Sequence, residues 1–174
     1  ILVCKIFSVK VIVRSNTAPI GWSKNIFKRI IFKLVLNLAD KVIANSLEFK
    51  KNLKKDLNLN AICIYNPLDK YQIKKKSKIK STKIFNSSKK LKILNIGRFT
   101  KQKDQLTFLK SLNLIKNKIS FEARIIGRGT LKSKLQKYIE NNNLKKTVKI
   151  IDFTNNPYPF IKEADLFVLS SRFE

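Results

Sequence analysis

Histidine and methionine are missing from this 174-residue chain, and cysteine occurs only twice. Without histidine, these residues can build neither a histidine general base nor a histidine-ligated metal site. Cys4 and Cys63 both lie in apolar runs, and no cysteine pair has the spacing of metal ligands. This pattern predicts reduced, buried thiols in a cytoplasmic protein.

The two ends of the chain lack the usual marks of a complete protein. The first residues fall inside an apolar run, and the last stretch, "SSRFE", stops abruptly. We therefore expect a piece of a longer protein. The opening "ILVCKIFSVKVIV" is too short and too interrupted by lysine to cross a bilayer, and it lacks the layout of a signal peptide.

Acidic residues are scarce, with 11 against 38 basic ones, so the formal net charge is +27. Nucleic-acid-binding proteins usually concentrate such charge on one face or near aromatic residues. Here lysine is spread over nearly every segment, which we interpret as a bias in composition, with no specific nucleic-acid partner expected. A basic nucleic-acid-binding α/β protein remains the alternative. In either case the charge should attract phosphates and acidic lipid surfaces.

Strand and helix patterns alternate along the chain, which predicts an α/β fold with parallel sheets. Predicted strands cover 10–13, 40–46, 61–66, 91–97, 121–127, 147–153 and 165–171. Predicted helices cover 24–39, 47–57, 104–117, 131–142 and 157–164, with Ser23 and Ser46 as caps of the first two. The strands are nearly continuously apolar, as in a sheet covered on both faces.

A change in amino-acid composition divides the alternating strands and helices into two halves. Residues 70–90 contain nine lysines and no clean period, so we predict a lysine-rich connector there. We expect an incomplete Rossmann-like unit on each side of it, over 1–69 and 91–174.

The stretch "ILNIGRFTKQKDQLTFL" places a glycine and two cations where a strand passes into a helix. Gly97 would let the backbone approach a ligand, and the helix start would offer unpaired N–H groups. Arg98 can fork onto phosphate oxygens, and Lys103 adds a charge from the far side of the loop. A plain turn with two solvated cations remains open as the other interpretation.

Two further features lie at predicted strand ends. "IIGRGTLKSKL" repeats the strand–glycine–helix arrangement with Gly127, although as a lone Gly-x-Gly it is also typical of a tight turn. Glu174 follows the last predicted strand, where a carboxylate is either surface decoration or a group that holds sugar hydroxyls.

Taken in order, five blocks resemble glycosyltransferase family four, the GT-B enzymes that use nucleotide sugars. The blocks are "ADKVIANS", "IYNPLD", "NIGRFTKQKD", "RIIGRGTLKSKLQKYI" and "VKIIDFTNNPYPFIKEADLFVLSSRFE". They span residues 39–174, and their order is more specific than any one of them. The resemblance weakens before residue 39.

The resemblance implies a retaining transferase that moves a sugar from a nucleotide diphosphate donor, with a UDP-sugar expected, to a glycan or lipid-linked acceptor in cell-surface polysaccharide assembly. By matching positions, Arg98 and Lys103 would hold the diphosphate, and Gly97 and Gly127 would line the donor site. The strand end near Ile151 and Phe153 would border the nucleobase, mostly through backbone contacts. Glu174 matches the first carboxylate of the Glu-x7-Glu motif. The resemblance implies no cofactor and no divalent metal.

The second carboxylate of that motif and the early acceptor-side strands are not in the sequence, so we expect the chain alone to be inactive. "SKNIFKRIIFKLVLNLAD" sets basic residues against a broad apolar surface, as interfacial helices do. An ordinary sheet-packing helix is the other interpretation. A cytoplasmic protein is expected, and the sequence permits peripheral contact with an anionic membrane at the inner face of the cell membrane.

Overall fold

The computed structural model describes residues 1–15, 25–79, 83–86 and 89–172. The chain forms two compact units, Ile1–Leu68 and Asp69–Phe173. Strands alternate with helices in both units, and all strand pairs in the described ranges are parallel. The predicted α/β class with two parallel-sheet units is confirmed.

The first unit has a three-stranded sheet in the order β1-β2-β3. Its elements are α1 (Leu2–Ile6), β1 (Ile12–Ser15), α2 (Ile26–Asn37), β2 (Lys41–Ala44), α3 (Leu47–Leu57) and β3 (Ile62–Cys63). Helix α3 buries Phe49, Leu53 and Leu57, one from each successive turn, in the core that also contains Val42. Ser46 caps this helix as predicted, because its hydroxyl accepts a hydrogen bond from the Phe49 N–H at 3.1 Å.

Two local predictions in this unit need correction. Helix α2 begins at Ile26, and the Asn25 side chain caps it by accepting from the Phe27 and Lys28 N–H groups. Ser23, the predicted cap, lies outside the described residues. Both cysteines are free, as expected, but only partly buried. Cys4 lies on a short helix that buries no residue, and Cys63 on a two-residue edge strand.

The second unit has a four-stranded sheet in the order β6-β5-β4-β7. Its elements are α4 (Lys70–Ser77), β4 (Leu91–Ile96), α5 (Gln105–Ile115), β5 (Phe121–Ile126), α6 (Lys132–Asn141), β6 (Val148–Ile151), α7 (Tyr158–Glu163) and β7 (Leu166–Phe167). Strand β7 is shorter than the predicted strand over 165–171.

Strand β5 is buried along its whole length, as the sheet interpretation requires. Ala123 and Ile125 belong to the main core, which also contains buried residues of α5 and α6. Two residues of β5 are nevertheless charged and buried, a feature that the apolar pattern did not indicate. The Arg124 guanidinium pairs with the Glu122 carboxylate at 2.7 Å, and neither side chain is more than 7% exposed.

The stretch predicted as a connector, 70–90, differs from that expectation because part of it belongs to the second unit's fold. Asp69 caps α4 by accepting from the Gln72 N–H at 2.8 Å. Phe85 is fully buried, and the Arg124 guanidinium lies 5.3 Å from its ring centre. The Arg124 side chain also donates to the Ile84 carbonyl, and the Glu122 carboxylate accepts from the Asn86 N–H at 2.8 Å. The buried ion pair therefore holds residues 84–86 against the sheet.

Across the described ranges, no helix combines the length and apolar character that a bilayer crossing requires.

Candidate functional site

A cleft of about 470 Å³ opens at the carboxyl ends of β4, β5 and β6. Ligands of open α/β sheets bind beyond the carboxyl ends of the strands, where loops on a rigid sheet present the binding residues. Its lining residues are Ile96, Gly97, Arg98, Ile126, Gly127, Arg128, Phe153, Thr154, Asn155 and Pro157.

Close packing of two backbone turns forms the floor of the cleft. The Gly97 N–H donates to the Ile126 carbonyl at 3.0 Å, and the Gly127 N–H donates to the Ile151 carbonyl at 3.1 Å. A Cβ on Gly127 would lie 2.0 Å from the Gly97 carbonyl oxygen. Gly127 is therefore required for the approach of one turn to the other, whatever it contributes to a ligand.

Gly97 has a different environment. A Cβ there would lie 3.4 Å from Gln105 Nε2 and 3.5 Å from Lys103 Cγ, which is ordinary contact. The fold alone would accept a small side chain at this position. That Gly97 leaves room for a ligand is consistent with this geometry and stays a prediction.

The loop after β4 holds its first cation on a fixed backbone. The Arg98 side chain is exposed, whereas the Arg98 backbone carbonyl accepts a hydrogen bond from Gln105 Nε2 at 3.1 Å. Next along the chain, Phe99 is fully buried and exchanges backbone hydrogen bonds with Arg128 and Leu131. Arg98 thus lines the cleft on a backbone that is fixed on both sides.

Lys103 and Asp104 end this loop beside the last strand. Lys103 is half-buried, its Cγ lies beside Gly97, and its carbonyl accepts from the Ser170 hydroxyl at 2.9 Å. Asp104 is the N-cap residue directly before helix α5 and has a φ of 44°. Its carboxylate accepts from the Thr107 hydroxyl at 2.9 Å and from Arg172 Nε at 2.8 Å.

Burial of Asp104 acts to raise the pKa of its carboxyl group. The hydrogen bonds from Arg172 and Thr107, together with the charge of Arg172, outweigh this effect and hold the pKa below its ordinary value. Asp104 is therefore ionised at neutral pH and cannot donate a proton in a reaction there.

Phe153 and Arg128 form the wall of the cleft on the β6 side. The Arg128 guanidinium carbon lies 4.6 Å from the centre of the Phe153 ring, a cation–π contact. The Phe153 side chain is still 52% exposed, so both groups present surface to a ligand. Arg128 was not among the predicted site residues. Its place between Gly127 and Gly129, in a turn from strand to helix, is the sequence signal that could have identified it.

The structure thus brings four predicted site residues into one lining: Gly97, Arg98, Gly127 and Phe153. Lys103 lies next to it, and the partly buried Ile151 contributes its carbonyl to the floor. Glu174 lies outside the described residues. Within the described part of the chain no cluster of three or more His, Cys, Asp and Glu side chains could hold a metal. Two arginines and a lysine around an aromatic wall suit a ligand that combines phosphates with a flat ring.

Comparison with known proteins identifies the family of the chain. Residues 75–174 match the family model described as glycosyl transferases group 1. The glycosyltransferase MJ1059 of Methanocaldococcus jannaschii is 30% identical over the whole chain, which covers 46% of that protein. The N-acetylgalactosamine-N,N'-diacetylbacillosaminyl-diphospho-undecaprenol 4-alpha-N-acetylgalactosaminyltransferase of Campylobacter jejuni is 27% identical over 94% of the chain, which covers 45% of it. The chain thus spans less than half the length of these curated relatives.

Solved structures share the fold. Anabaena HepE, crystallised with UDP and glucose, matches 97% of the chain and is itself covered over 48%, with a TM-score of 0.72 and 17% identity. S. aureus TarM matches 95% of the chain and is covered over 32%, with a TM-score of 0.70 and 19% identity. The predicted GT-B type of fold is confirmed. The chain belongs to the glycosyl transferases group 1 family.

Proposed function

We propose that the full-length protein transfers a sugar, with retention of configuration, from a nucleotide diphosphate sugar to a glycan or lipid-linked acceptor in cell-surface polysaccharide assembly. The single observation that carries this proposal is the cleft at the ends of β4–β6, lined by Arg98, Arg128 and Phe153. Family membership supports the reaction class.

The diphosphate occupies the part of the cleft beside Gly97. Arg98 lines this part of the cleft on an anchored backbone, and the Lys103 side chain lies beside Gly97. When the sugar leaves, negative charge accumulates on the diphosphate, and two cations already in place stabilise that charge without reorganisation. They supply the charge compensation that a divalent metal provides in other transferases, so we propose a metal-independent reaction.

The nucleobase lies against the wall formed by Phe153 and Arg128. An aromatic ring and a guanidinium plane can both stack on a base, and the Arg128 guanidinium carbon lies 4.6 Å from the centre of the Phe153 ring. Uracil is the expected base. HepE, which shares the fold of this chain, was crystallised with UDP, and this is in keeping with the expectation. Glu174, by the family motif alone, is proposed to hold hydroxyl groups of the donor sugar.

A lipid-linked acceptor and a peripheral membrane position are proposed together, with the active site on the cytoplasmic side. The Campylobacter relative is named for a diphospho-undecaprenol acceptor. Helix α2 exposes Phe27, Ile31 and Leu34 together with Lys28, and Arg29 beside them is half-buried, a combination that suits an anionic lipid surface. Flotation with vesicles that contain anionic lipid tests this point: a Lys28→Gln/Arg29→Gln variant should float less, and equal flotation would contradict it.

The test of the donor site is calorimetric titration of the full-length protein with UDP, GDP and a short RNA at physiological salt. We expect saturable binding of one nucleotide. Arg98→Ala should abolish it and cripple transfer while leaving the thermal transition unchanged, because the Arg98 side chain is exposed. Lys101→Ala is the matched control, since Lys101 is an exposed cation of the same loop.

Two outcomes would sink the proposal. Near-normal binding and transfer by Arg98→Ala would remove the diphosphate site. Binding of RNA alone, steeply weakened by salt, would make the charge itself the function and favour the nucleic-acid alternative.

A further inference from the structure

The segment after β7 is bonded to the loop that carries Arg98 and Lys103. The Ser170 hydroxyl donates to the Lys103 carbonyl at 2.9 Å. The Arg172 N–H donates to the Gln102 carbonyl at 2.8 Å, and Arg172 Nε donates to the Asp104 carboxylate at 2.8 Å. Three consecutive loop residues are therefore each held by this segment.

Asp104 has a left-handed backbone conformation, and hydrogen bonds to its side chain help to maintain it. Its φ of 44° and ψ of 47° are left-handed values that a residue with a Cβ rarely adopts without compensation. The carboxylate oxygen that accepts from Arg172 also accepts from the Thr107 hydroxyl in the first turn of α5. These bonds fix the point at which the loop ends and the helix begins, directly after Lys103.

The ion pair itself is unequal in exposure. The Asp104 side chain is 13% exposed, whereas the Arg172 side chain is 64% exposed. An arginine this exposed contributes little to stability, because water and salt screen its charge. We therefore expect the main effect of this ion pair to be on the conformation of the loop, and not on the stability of the fold.

We propose that Asp104 and Arg172 are positioning residues for sugar transfer: their ion pair holds the Lys103 backbone so that the lysine reaches the diphosphate of a nucleotide sugar beside Gly97. This inference rests on the proposed function. Neither residue touches the donor. Both act through Lys103, and a small displacement of that cation is enough to slow a reaction that depends on preorganised charge.

The test compares Arg172→Gln, Asp104→Asn and the double variant in the full-length protein. Asparagine tolerates the left-handed conformation and can still accept from Thr107, so Asp104→Asn removes mainly the charge. Steady-state transfer gives kcat/KM for the donor, calorimetry gives the Kd of UDP, and thermal unfolding reports on the fold. Arg172→Lys tests rescue by a conservative change, and Lys145→Gln, which breaks an exposed ion pair with Glu140, is the control.

We expect each single variant to lower kcat/KM by about tenfold, as a misplaced catalytic group does. The double variant should lose about the same tenfold, since both changes break one interaction. Arg172→Lys should recover part of the loss, the control should match the wild type, and all Tm values should stay within about 2 °C.

The failures are distinguishable. If the wild type binds no nucleotide, the proposed function is wrong and this inference falls with it. If the wild type binds UDP and transfers sugar but the single variants keep their kcat/KM, only this inference is overturned. It is also overturned if the double variant loses about a hundredfold, the product of two independent effects, or if the activity loss follows a lower Tm.

Discussion

Replacing Gly127 by alanine should destabilise the second unit far more than the same change at Gly97. A Cβ on residue 127 would lie 2.0 Å from the Gly97 carbonyl oxygen and 2.9 Å from the Phe99 ring. The nearer neighbour is backbone in a hydrogen-bonded turn, so no rotamer change relieves the contact. Overpacking in a core costs about 1–3 kcal/mol, and we expect Gly127→Ala at the upper end, ~3 kcal/mol.

At Gly97 the added Cβ would meet its nearest atoms at 3.4 and 3.5 Å, both in side chains. Gly97→Ala should therefore stay within about 1 kcal/mol of the wild type. The methyl group would stand where the diphosphate is proposed to lie, so its UDP affinity should fall by about tenfold or more, at about 1.4 kcal/mol per tenfold.

Urea unfolding followed by far-UV circular dichroism measures the stabilities, and calorimetry measures UDP binding. Thermal unfolding of Gly127→Ala should show a drop of roughly 12 °C or more, at about 4 °C per kcal/mol for a unit of this size. Equal stability of the two variants would refute the reasoning from the close contact. Unchanged UDP affinity of Gly97→Ala would refute the role given to Gly97.

Three further predictions concern the buried ion pair, the aromatic wall and acid stability. Arg124→Leu removes the cation that pairs with the buried Glu122 carboxylate and should cost about 3–5 kcal/mol in urea unfolding; a double Glu122→Leu/Arg124→Leu variant that is no more stable than the single variant would contradict this. Phe153→Ala should weaken UDP binding about tenfold but leave pyrophosphate binding unchanged, and equal losses for both ligands in calorimetry would rule out the base wall. The lowered pKa of Asp104 stabilises the fold above the pKa of the unfolded chain, about 3.9, and this contribution is lost as the pH falls through the lower folded pKa. Asp104→Asn should therefore flatten the acid limb of a Tm-against-pH curve by no more than about 2 °C, because the exposed Arg172 is screened, and a steeper limb would count against the ion pair.

Hydrophobic period and turn residues were enough to predict most of the fold. Helix α3 shows why, because its cap Ser46 and its buried face of Phe49 and Leu53 are both visible in the local sequence. The sequence did not predict helix α4, because its many lysines leave no helical spacing of apolar residues. Its partners are distant in sequence, such as Asn156, which donates to the Lys76 carbonyl at 3.1 Å.

The candidate site could be predicted only in part. Gly97 and Arg98 follow a strong strand pattern, so their position at the carboxyl edge of the sheet could be predicted. The turn between Gly127 and Gly129 could have marked Arg128 as a candidate, but its contact with Phe153, 25 positions later, is set by the fold. The pairing of Asp104 with Arg172 spans 68 positions, and no local pattern encodes it. Buried Glu122 and Arg124 were likewise unpredictable, since each is tolerated in the core only because of the other and of residues 84–86.

The most direct test of the central claim is a crystal structure of the full-length protein with UDP. The proposed function predicts the diphosphate beside Gly97, within hydrogen-bonding distance of the Arg98 guanidinium, and the uracil ring against Phe153 and Arg128. UDP bound at another place, or an empty cleft at saturating UDP, would contradict it.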